Sequence, residues 1–88
     1  KSLILARSAL ASANEMLPSP TRSRRLAQAF MSLTFILSND ATEASLREAR
    51  ESALRAREHY LECGDSFGTS DANDAIQALD SLHRVPGA

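Results

Sequence analysis

Apolar residues recur at the three-to-four-residue spacing of an amphipathic helix in four separate segments of the chain. In the first, from about Ser2 to Leu17, a stripe of Leu3, Ala6, Leu10, Ala13 and Leu17 is widened by Leu5, Ala9 and Met16. Pro18 and Pro20 end it. Ser19 then stands as an N-cap with Pro20 at the first helical position, where a missing N–H costs nothing. The second segment reaches about Ser38, with Leu26, Phe30, Leu33 and Leu37 as its inner stripe. Asn39 and Asp40 interrupt the pattern, and Asp40 with Glu43 has the spacing of a capping box. The third segment runs from Ala41 to Cys63, and Gly64 suits the residue just past a helix end. A polar loop over 64–70 follows. Thr69 or Ser70 is expected to cap the fourth helix, whose stripe is Ala72, Ala75, Ile76, Leu79 and Leu82 before Pro86 and Gly87 stop it. Short connections make neighbouring helices antiparallel. The expected fold is therefore all-α, an up-and-down antiparallel four-helix bundle with helices at about 2–17, 20–38, 41–63 and 70–83.

Composition narrows this picture without redirecting it. Eighty-eight residues suit a single helical domain spanning 1–88, with enough chain for one core but not for a core and a deep catalytic cleft. The chain opens on Lys1 rather than methionine, as expected of a domain excised from a longer protein. Phe30, Phe35, Tyr60, Phe67 and Val85 are the only aromatic or valine residues, too few for a sheet protein. The most apolar stretch, 26–37, is interrupted by Gln28, Ser32 and Thr34 and falls short of the roughly 20 residues that cross a bilayer. Arg7, Asn14 and Glu15 break the first segment, so it does not read as a signal peptide. Cys63 is the sole cysteine. It excludes an internal disulfide and favours a reducing, cytoplasmic location.

Two features of the second helix exceed what a simple bundle asks for. Met31 and Phe35 project opposite its inner stripe, where a surface helix is normally polar. They form either a contact with further parts of the fold, including a loop carrying Phe67, or an exposed patch for self-association or a partner helix. In the second case, replacing Met31 by serine and Phe35 by aspartate lowers the assembly state without unfolding the chain. Arg22, Arg24 and Arg25 crowd the first turns of the same helix, where cations oppose the helix dipole. Residues 1–40 hold five basic and two acidic side chains, net +3, and residues 41–88 hold five basic and nine acidic, net −4. The two halves are thus complementary, within one chain or between two.

The third helix carries a solvent ladder of Glu43, Arg47, Glu51 and Arg55 at four-residue steps. Its opposite arc holds Leu46, Ala49, Ala53, Leu54, Tyr60 and Leu61, with Arg50 and Arg57 near the middle. Guanidinium groups placed there need partners such as Glu15 or Asp80, or else line a groove for an acidic segment. His59 and Cys63 lie one turn apart but supply only two of the three or four ligands zinc needs. Gly64-Asp65-Ser66-Phe67 resembles the nucleophile block of the GDSL hydrolases, and Asp80 and His83 have the D-x-x-H spacing of that family's other catalytic pair. In that family the serine follows a strand of a larger α/β domain, with glycine and asparagine oxyanion donors. Here Ser66 follows a helix and those donors have no counterpart. The expectation is therefore a non-enzymatic protein–protein interaction module, a homodimer or a small adaptor or regulator, without cofactor or metal. Its contact is placed on Met31 and Phe35 with Arg22, Arg24 and Arg25 as a rim. The alternatives are a nucleic-acid or anionic-surface binder using the arginines, and a bundle holding a small anionic or apolar ligand at Arg50 or Arg57. Nucleic acid and membrane are not the expected partners.

Overall fold

The computed structural model describes residues 2–40 and 42–83 and contains four helices: α1 (Ser2–Asn14), α2 (Pro20–Ser38), α3 (Glu43–Glu62) and α4 (Ser66–His83). Among the described residues there is no strand. The expected start of the third helix at Ala41 and the Pro86–Gly87 stop lie outside the described residues, as do the side chains of Leu82 and His83.

α2 has the limits expected from its capping residues. The Ser19 side chain accepts a hydrogen bond from the Arg22 amide at 3.1 Å, and Pro20 occupies the first turn. α1 ends three residues sooner than its apolar spacing suggests. Glu15 and Met16 donate to Ser12 and Ala13, each three residues back, so the last turn is tighter than α. Pro18 brings no N–H to continue the ladder and pushes Leu17 out of helical geometry. At the start of α3, Thr42 rather than Asp40 is the cap: its hydroxyl accepts from the Ser45 amide at 3.2 Å. Asp40 supports that turn from outside, accepting from the Thr42 and Ser45 hydroxyls.

The largest departure is at α4. The expected loop over 64–70 is only a three-residue reversal, Cys63 to Asp65, because Gly64 takes the left-handed conformation, φ 73°, after α3. Asp65 then accepts from the Gly68 amide at 2.9 Å and caps α4 one turn before Thr69 or Ser70. Thr69 lies inside the helix, and its hydroxyl donates to the Asp65 carbonyl.

Helices adjacent in sequence pack against each other, and α2 also touches α4, so α2 lies centrally against all three others. α1 does not reach α4 among the described residues, which leaves the bundle open on that side. The result is flattened, with extents of 46 × 29 × 13 Å. Ala6, Leu33, Leu37, Ala49 and Leu79 form one core cluster, and Ala27, Met31, Ala56, Tyr60 and Ala72 form the other. In the second, an alanine from each of α2, α3 and α4 is fully buried. Small side chains at all three contact points let the backbones approach, leaving Met31 and Tyr60 to fill what remains. Thr34, buried between α2 and α3, donates its hydroxyl to the Phe30 and Ala49 carbonyls. A core built so largely of alanine buries little area per residue, and several larger apolar side chains stay outside. Ile4, Leu5, Leu17, Phe35, Leu61 and Phe67 are all exposed. Leu5, Leu17 and Leu61 thus leave the inner stripes on which helical spacing had placed them.

Candidate functional site

The outward ridge of α2 is the natural place to build a site, because this helix is buried on its other sides. Arg24, Gln28 and Phe35 are exposed on it, and Met31 borders it. Residues at i, i+4, i+7 and i+11 fall on one helical stripe, so these four run in line over about 16 Å of axis. Clefts flank the ridge on both sides. Toward α1, one of about 420 Å³ is lined by Ala9, Ala13, Met16, Arg25 and Gln28, among others. Toward α4, another of about 520 Å³ is lined by Met31, Phe35, Tyr60, Asp71, Asp74 and Ala75. Its floor is apolar, and α4 contributes two carboxylates to its rim.

Met31 and Phe35 are divided by this arrangement. Met31 is only 6% exposed and packs with Ala27, Ala56, Tyr60 and Ala72, whereas Phe35 is 60% exposed. They therefore do not form one exposed patch. The double replacement expected to leave the fold intact removes a core side chain, because α4 packs on the side of α2 that carries Met31. Phe67 does not cover this face either: it stands 85% exposed in the first turn of α4.

The three arginines are likewise separated. Arg22 is half-buried, with its Nε enclosed and without a hydrogen-bond partner. Arg24 and Arg25 are exposed, Arg25 on the α1 side of the ridge. Among the described residues none of the three makes an ion pair; Arg7–Glu48 at 2.8 Å links the basic and acidic halves, whereas Arg50–Asp80 at 2.6 Å lies within the acidic half. Arg50 holds Asp80 through Nε and a longer second contact from Nη2, and this hydrogen bond, then the carboxylate charge, raises the guanidinium pKa. Arg57 donates to the Asn73 side-chain oxygen at 3.1 Å. Both cations thus bridge the α3–α4 seam with partners from α4.

The residues considered for chemistry are dispersed. Ser66 begins α4, and Asp80 lies fourteen residues further along the same helix, about 21 Å of rise away. They do not form a nucleophile and acid pair. His59 stacks on Phe30 with ring centroids 5.7 Å apart, and its Nδ1 lies 3.2 Å from Glu62 without hydrogen-bond alignment. The Cys63 thiol donates to the Tyr60 carbonyl. Among the described residues no three potential metal ligands gather, and no helix is long and apolar enough to cross a membrane.

Sequence reasoning missed Tyr60 as part of the site, having placed it only in the core. It is 8% exposed, yet its ring floors the α2–α4 cleft. Burial, followed by the charges of Asp65, Asp71 and Cys63, raises its phenol pKa above the ordinary 10.0. The unfolded chain therefore releases this proton first. The stability Tyr60 contributes is complete below pH 10 and is lost as pH rises through the folded-state pKa. Denaturant titrations across this alkaline range, read beside tyrosinate absorbance, should show that loss in the native sequence and much less of it in Tyr60→Phe.

Compared with protein-family models, curated proteins and solved structures, the chain matches none.

Proposed function

We propose that this chain is a protein–protein interaction module whose contact is made through the outward ridge of α2. The observation that carries this reading is Phe35, a large aromatic side chain exposed on the central helix at the mouth of the α2–α4 cleft. An aromatic at a cleft mouth is a typical anchor for a partner surface. Two further facts support it. The core is alanine-rich and the molecule thin, so large apolar side chains remain uncovered on several helices. Charged groups at the ridge also make no ion pair among the described residues: Arg24 and Arg25 on α2, Asp71 and Asp74 on α4. An apolar centre rimmed by charge is the usual anatomy of a recognition surface.

Self-association is the form of this activity that the chain can display alone. Light scattering at two protein concentrations and two salt levels is expected to give a mass above one chain that grows with concentration. Phe35→Ser should return it to the mass of one chain while the helical circular dichroism is kept. A one-chain mass throughout, unchanged by Phe35→Ser, overturns the self-associating form of the proposal.

A further inference from the structure

Resting on that reading, we infer that the α2 ridge of a second copy packs on this ridge and places its Arg24 in the α2–α4 cleft, in a two-fold pair whose axis passes over α2 at Gln28. The cleft and the ridge share one face of the molecule, offset along one helix. Asp71, Asp74 and Ala75 line the cleft with Met31 and Phe35, so the carboxylates stand level with residues 31–35 of α2. Arg24 is on the same stripe, seven residues before Met31, or about 10 Å nearer the N-terminus. A two-fold axis lying in the contact plane and perpendicular to α2 runs the two helices antiparallel and keeps each side of the ridge on its own side. With that axis at Gln28, residue 24 of one copy meets the level of residue 32 of the other. Arg24 then enters the acidic rim, and the exchange is repeated by symmetry.

The charges require such a partner more than the fold does. A cation in the first turns of α2 opposes the helix dipole, and among the described residues Arg24, Asp71 and Asp74 make no ion pair. The apolar part of the contact comes from Phe35 within its own cleft, about 5 Å of rise beyond the level at which Arg24 of the other copy enters, beside the floor made by Tyr60 and Ala75. Arg25 lies on the α1 side of the ridge and takes no part. One pairing thus accounts for an unfavourably placed cation, two unpaired carboxylates and an exposed aromatic.

The test is a charge swap on the whole chain, read by sedimentation equilibrium. R24E alone, and D71K/D74K alone, each place like charges opposite each other, so each should dimerise at least about tenfold more weakly than the native chain. An equimolar mixture of the two variants restores opposite charges at both contacts and should recover a dimer. E51K/E58K, on an exposed face of α3, should dimerise as the native chain does. Independently, Q28C in a C63S background should form a disulfide-linked dimer on oxidation, whereas Q77C in that background should not. A native dimer indifferent to both swaps, or a mixture no tighter than its components, overturns this pairing and leaves the interaction reading in place. A native chain that stays at one-chain mass removes the self-associating reading itself, and the pairing with it.

Discussion

Met31→Ala is expected to lower the free energy of unfolding by about 2–5 kcal/mol, the range for emptying a buried methionine site. Phe35→Ser, four residues away on the same helix, should change it by no more than about 0.5 kcal/mol, as exposed positions do. The difference follows from what each side chain touches. Met31 is enclosed by Ala27, Ala56, Tyr60 and Ala72. Three of these neighbours are alanines, whose short side chains cannot swing into the space left behind, so a cavity persists. Phe35 faces solvent over the cleft, and its removal leaves the interior unchanged. Denaturant titrations should be run at a concentration where one chain predominates, because dimerisation would add its own concentration-dependent stability. Equal losses from the two replacements would show that Phe35 is also core and would remove the anchor from the proposed surface. The intended result separates the two properties: Met31→Ala shifts the unfolding midpoint, and Phe35→Ser shifts the assembly mass.

Helical spacing set both residues opposite the stripe of Leu26, Phe30, Leu33 and Leu37, but a single helix cannot reveal what packs on that side. That α4 reaches α2 there depends on Cys63, Gly64 and Asp65 reversing the chain within three residues and on Gly68 sitting inside the helix. Gly-Asp-Ser-Phe-Gly-Thr has weak helix propensity and looks like a loop, and tertiary packing overrides that preference. The same misjudged connection concealed the cleft, since Asp71, Asp74 and Tyr60 converge on Met31 and Phe35 only once α4 begins at Ser66. Where local capping chemistry is decisive, at Ser19 and Pro20 or at Gly64, the chain could be read without its neighbours. Pairing across helices was legible in one case: Arg50 sits amid apolar residues and needs a carboxylate, and Asp80 supplies it. The stripes on α1 and α3 were read too wide. In a flattened array these helices are covered over a narrower arc than in a closed bundle, so Leu5, Leu17 and Leu61 remain outside.

Gly68 joins that packing to the proposed site, and substituting it is expected to damage both. In an exposed helix, alanine is preferred to glycine by about 1 kcal/mol, so by propensity alone Gly68→Ala would stabilise α4. Here a Cβ at residue 68 would meet the Tyr60 ring, lying 2.6 Å from Cγ and nearer still to Cδ1 and Cε1. The ring cannot yield easily, because it is packed among Met31, Ala27, Ala56 and Ala72. Overpacking of this kind costs about 1–3 kcal/mol. Gly68→Ala should therefore be destabilising by up to about 2 kcal/mol after the propensity gain, and Gly68→Val by more. Tyr60 supplies the cleft floor, so whatever shift relieves the clash should also weaken self-association beyond the loss of fold. The decisive comparison is a double-mutant cycle with Tyr60→Leu, which shortens the side chain and removes the ring. Tyr60→Leu is itself destabilising, but in that background Gly68→Ala should become neutral or stabilising, as helix propensity alone dictates. If Gly68→Ala instead costs the same with and without the ring, its penalty arises from the backbone of α4, and the close helix approach that places the cleft is not what requires glycine.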